Sequence, residues 1–130
     1  MMEMTVHRLS KPLLAALALS AFAVPALAHH SYAMFDMNRT VQLDAQVTRF
    51  KWQNPHAFIE ADVAAPGGAT EHWAIEMTSP NNLAQEGWKR TSLKPGDRVR
   101  IWVHPLRSGA RGGSYAGVRL ADGSTLGTVN

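Results

Sequence analysis

The chain of 130 residues contains no cysteine. That absence excludes disulfides, thiolate metal sites, haem attachment through C-x-x-C-H and a lipid-modified cysteine. A membrane-length apolar segment is also missing: "LLAALALSAFAV" at 13–24 has 12 residues, where a spanning helix needs about 20. Charge of one sign is scarce, with 13 basic and 10 acidic side chains giving +3, too mild to imply a nucleic-acid partner. Internal repeats, heptads and low-complexity tracts are absent. So are catalytic signatures. "GGSYAG" places Ala116 where G-x-S-x-G requires its final glycine, and it precedes a strand instead of a helix. Glu60, Asp62, Glu71 and Glu76 read as solvated carboxylates on strand faces or ends.

What is present begins with an address. Arg8 and Lys11 form a basic start, the apolar run follows, and Ala26 and Ala28 are the small residues before a cut. These are the three parts of a secretory signal. Cleavage after Ala28 is expected, with periplasmic or secreted localisation and no membrane anchor afterwards. The mature chain then starts at His29 and keeps 102 of the 130 residues, enough for a single domain. The leader removes Arg8, Lys11 and Glu3, so 11 basic and 9 acidic side chains remain. The expected organisation is a signal peptide at 1–28, an N-terminal arm at 29–39, a small β-barrel domain at 40–126 and a C-terminal tail at 127–130.

From Thr40 the sequence takes up the two-residue period of half-buried strands. Val41, Leu43, Ala45 and Val47 alternate with polar residues, and the parity then shifts to Phe50 and Trp52. A bulge near Arg49 keeps both sets inward. Ile59, Ala61 and Val63 mark a second strand, "PGGA" a hairpin connection, and Trp73, Ile75 and Met77 a third strand. Ser79, Pro80 and Gly87 then have the cap, first-turn and terminator chemistry of a helix of about two turns. "LKPGD" makes a tight turn into a fourth strand with Val99, Ile101 and Val103 on one face. After the "RSGARGG" loop, Ala116, Val118 and Leu120 mark a fifth. This predicts a mainly β fold: a small five-stranded OB-fold-like barrel with one short helix between strands three and four, preceded by a cleaved signal helix. An open antiparallel sheet covered by the helix is the rival architecture.

"AHHSYAMFD", "NPHAFIEADV", "HWAIEMTSPNNLAQEGW", "SLKPGDRVRIWVHP" and "VRLADG" together resemble a family of bacterial exported proteins catalogued as domain of unknown function 6152. The resemblance covers nearly the whole mature chain. Ala45 stands where relatives typically have glycine, leaving the bend of the first strand to nearby residues. The resemblance implies export and supplies no activity.

Chemistry must therefore come from side chains. A mature chain that begins at His29 offers its amine and an imidazole nitrogen to one metal ion. Nitrogen donors in a planar set favour Cu(II), with Ni(II) and Zn(II) as competitors. His30, His56, His72 and His104 are the candidate further donors, His56 first among them because Pro55 fixes the turn before it. Met34 and Met37 add thioethers suited to Cu(I). Copper is thus the expected cofactor, in a binding, delivery or accessory role. The alternative is a non-metal module for an exported protein or a small anionic ligand, using Trp102 and Arg100 on an outward strand face with Arg107 and Arg111 in the loop. A copper oxidase or polysaccharide-cleaving enzyme is disfavoured, because so small a domain has little area to hold a polymer.

Overall fold

The computed structural model describes residues 32–129. The leader, its cleavage point, His29 and His30 lie outside the described residues. Among the described residues six strands and the helix α1 follow in order: β1 (Val41–Lys51), β2 (Phe58–Ala64), β3 (Thr70–Glu76), α1 (Pro80–Gln85), β4 (Arg98–Pro105), β5 (Gly112–Arg119) and β6 (Thr125–Gly127). A single 3-10 turn at Pro66–Gly68 joins β2 to β3. No described helix is long and apolar enough to cross a membrane.

β1 is the long strand around which the barrel closes. Its first part pairs with β4, from Val41 opposite Val103 to Gln46 opposite Arg98. Its second part pairs with β2, from Ala45 opposite Val63 to Lys51 opposite Phe58. The register slips between Val47 and Arg49, and this bulge carries the inward set across from Val47 to Phe50. The expected bend is therefore made at Thr48, three residues after Ala45. A parallel pairing of Ala74 to Glu76 with Gly112 to Ser114 joins β3 to β5 and closes the five-stranded barrel.

Apolar alternation fills the interior. Val47, Ile59, Ile75, Ile101, Val103 and Val118 are at most 1% exposed, and burial of each such side chain is worth roughly 1.5–3 kcal/mol relative to exposure. The six residues of α1 are too few to hold a helix alone. Ser79 caps it by accepting from the Asn82 amide, and Leu83 and Trp88 anchor its region by packing into the core. Gly87 and Gly96 have φ of +94°, the left-handed conformation their turns require.

Three features depart from the sequence pattern. β6 is a sixth strand outside the barrel, paired with the end of β5 from Gly117 opposite Gly127 to Arg119 opposite Thr125. In β5 the register with β4 shifts between Trp102 and Val103, so that Tyr115 opposes Val103 and Gly117 opposes Trp102. Ala116 falls at this irregularity, and the partly buried Tyr115 takes the core position the simple alternation gives to its neighbour. The arm, which shows no period in sequence, is docked. Phe35 bridges Leu106 and is 4% exposed. The Asp36 amide donates to the Pro105 carbonyl at 2.8 Å, and the Arg107 amide to the Met34 carbonyl at 2.9 Å.

Candidate functional site

The three described histidines occupy separate positions, and in each the Nδ1 atom faces an oxygen. His56, in the loop between β1 and β2, pairs through Nδ1 with Glu76 at the end of β3. His72 on β3 pairs with Asp62 at 2.5 Å, directly opposite it in the β2–β3 register. His104 on β4 donates to the Arg39 carbonyl at 2.9 Å. Metal-binding histidines commonly hold their other ring nitrogen on a carboxylate or carbonyl in this way. His72 and Glu76 are four residues apart along β3, about 13 Å, so the two histidine–carboxylate pairs do not merge. Among the described residues no group of three or more histidines and carboxylates has metal-holding geometry.

The barrel does align one polar row that sequence spacing hides. His104 opposes Ser114 across β4–β5, and Ser114 opposes Glu76 across β5–β3. Residues directly opposite share a face, so His104, Ser114 and Glu76 follow one another around the outer surface, with His56 bound to the last. No described hydrogen bond links Ser114 to either imidazole, whereas an activated nucleophile needs that bond to its base.

The expected ligand-binding set is dispersed. Trp102 does not stand out into solvent: it is 2% exposed, with the Arg119 guanidinium 5.4 Å from its ring centroid. Its outward parity on β4 is as expected, but the side chain is buried. Arg100 makes two hydrogen bonds to Asp44, at 2.7 and 3.0 Å. These hold the Asp44 carboxyl below its usual range and raise the guanidinium. Arg107 donates from Nε to the Ala33 carbonyl at 3.2 Å and has Asp36 4.0 Å away, so it clamps the arm. Arg111 pairs with Glu71 at 2.8 Å. Met34 and Met37 are 51% and 45% exposed on the arm.

Two residues escaped sequence reasoning. Asp62 as the partner of His72 was accessible: a hairpin pairing Ala64 with Thr70 places 62 opposite 72 by counting. Glu76 as the partner of His56 was not, because it depends on where a loop folds back.

The described residues line surface clefts, two of which bear on these side chains. One, of 330 Å³, runs past Asp62, His72, Trp73 and Arg111. The larger, of 620 Å³, has Arg98, Arg100 and Arg119 on its walls together with Val63, Val99 and Leu120.

Comparison with curated proteins and with solved structures returned no match. A family model does match residues 16–115, more than half of the chain. β1 to β4, the first half of β5, the capped helix after β3 and the histidine-bearing loop before β2 fall within that span, and the chain belongs to DUF6152, a family of unknown function.

Proposed function

We propose that the protein is exported, is cut after Ala28, and binds copper through the arm that begins at His29, in a binding, delivery or accessory role. The observation that supports this reading is where the apolar side chains are left in water. Among the described residues the exposed large hydrophobics are Tyr32, Met34 and Met37, all in the arm. Backbone hydrogen bonds at Met34 and Asp36 tie that segment to Pro105 of β4 and to Arg107 in the loop beyond it. A fold that buries its aliphatic strand residues so completely keeps two thioethers exposed on a fixed stretch of backbone. Cu(I) is a partner that uses such groups.

The new terminus supplies the complementary chemistry. The amine of His29 has an ordinary pKa near 7.7–8, so yielding its proton to a metal at neutral pH costs about 1 kcal/mol. Amine and imidazole together suit Cu(II), while Met34 and Met37 suit Cu(I). An arm with both donor types matches a carrier that accepts or releases copper in either oxidation state.

The test is purification from the periplasm, confirmation of His29 as first residue by intact mass, and Cu(II) titration beside a form carrying one extra N-terminal residue. The extended form is expected to bind at least tenfold more weakly. Replacement of Met34 and Met37 by leucine is expected to weaken Cu(I) capture and leave Cu(II) affinity unchanged. Equal, peptide-level affinity in all forms overturns the reading.

A further inference from the structure

We propose that the cleft walled by Arg98, Arg100 and Arg119 binds a small organic carboxylate with an apolar body. Strand register creates this concentration of charge. Arg98 and Arg100 are alternate residues of β4, about 6.6 Å apart on one face, and Arg119 of β5 lies directly opposite Arg100. Like charges opposite one another on paired strands are unfavourable, and here only one of the three cations is matched by a carboxylate. Asp44 satisfies Arg100 with two hydrogen bonds. Arg119 rests over Trp102, and Arg98 has no ion pair or side-chain hydrogen bond among the described residues. Asp62, the other carboxylate on the cleft wall, is engaged by His72.

The shape specifies the rest of the ligand. The cleft is also lined by Ala45, Val63, Val99 and Leu120, and its 620 Å³ falls in the range of small-molecule sites, about 300–1,000 Å³. An anionic head meets Arg98 and Arg119 as charge-assisted hydrogen bonds, while an aliphatic body covers the apolar lining. This relocates anion recognition from the 107–111 loop, where Arg107 and Arg111 serve the arm and Glu71, to the meeting of β1, β4 and β5. The site shares no residue with the copper reading and stands or falls separately from it.

Calorimetric titration of the purified protein with octanoate, inorganic phosphate and octanol tests the proposal. Saturable octanoate binding is expected, with phosphate and octanol each at least tenfold weaker. Arg98→Gln with Arg119→Gln should weaken octanoate at least tenfold. Arg107→Gln, outside the cleft, should leave it unchanged. Asp44→Asn, which frees Arg100, should tighten it several-fold. Octanol binding as well as octanoate, phosphate binding as well as octanoate, or an unaffected double variant each overturns the proposal, as does the lack of saturation. The substituted residues are surface-facing, and circular dichroism confirms that each variant is folded.

Discussion

Trp88 donates its indole N–H to the hydroxyl of Tyr115 across 3.1 Å, and the two rings meet edge to face with centroids 5.5 Å apart. Trp88 also lies 5.7 Å from Phe50, so this contact ties the segment after α1 to both β1 and β5. Trp88 is 1% exposed. Tyr115→Phe keeps the ring packing and leaves the indole donor without an acceptor, which costs about 1–3 kcal/mol. A fall in Tm of roughly 4–8 °C per kcal/mol is expected for a domain of this size, measured by calorimetry against the parent. An unchanged Tm would show that water replaces the hydroxyl.

The same hydroxyl sets an alkaline limit on stability. Burial pushes the Tyr115 phenol up to about 12, against the opposing effect of the Trp88 hydrogen bond. Folding therefore favours the protonated form. The contribution is complete below the unfolded value near 10 and is lost as pH rises towards about 12. Ultraviolet titration should show one tyrosine ionising later than an ordinary phenol, and Tyr115→Phe should abolish that late step.

Phe35 is the anchor of the arm. Phe35→Ala removes a buried aromatic ring at the residue that bridges Leu106, with a local cost of about 3–5 kcal/mol. The barrel core cluster does not include Phe35, so the loss should fall on the arm first. Hydrogen exchange at the amides of Asp36 and Arg107 should accelerate strongly, while amides of β2 and β3 keep their protection. Equal acceleration throughout would mean that the arm and barrel unfold as one unit.

Gly117 is required by the outer strand. A β-carbon there would press into the backbone of Thr128, well inside contact distance. Gly117→Ala should therefore displace β6 while preserving the barrel, because the strands that close it pair elsewhere. Proteolysis after Arg119 should become faster, with the far-ultraviolet spectrum nearly unchanged.

Leu83 tests how α1 is held. It is fully buried in a helix too short to persist alone. Leu83→Ala should cost about 2–5 kcal/mol, read as a lower denaturant midpoint. A shift below 1 kcal/mol would show that capping by Ser79 holds the helix without the core.

The sequence by itself determined the element order, because period-two alternation is a local property of each strand. It also determined the helix boundaries, since Ser79, Pro80 and Gly87 act through backbone hydrogen bonds and φ within a few residues. The bulge after Val47 was legible as a parity change between Val47 and Phe50. Tertiary structure decided what joins elements distant in the chain. β6 is a three-residue strand with no alternation to read, and it exists because β5 leaves an edge beside Gly117. Trp102 has the outward parity its neighbours predict, yet it is buried, with Arg119 arriving from β5 over its ring. The arm carries no period, because it is fixed by the backbone of Pro105 and Arg107, and its own pattern plays no part. Arg98, Arg100 and Arg119 become one cleft only through the β4–β5 register, and Arg107 and Arg111 part because the loop gives one to the arm and the other to Glu71. Local patterns fix which residues face inward, and the pairing of distant strands fixes which side chains meet.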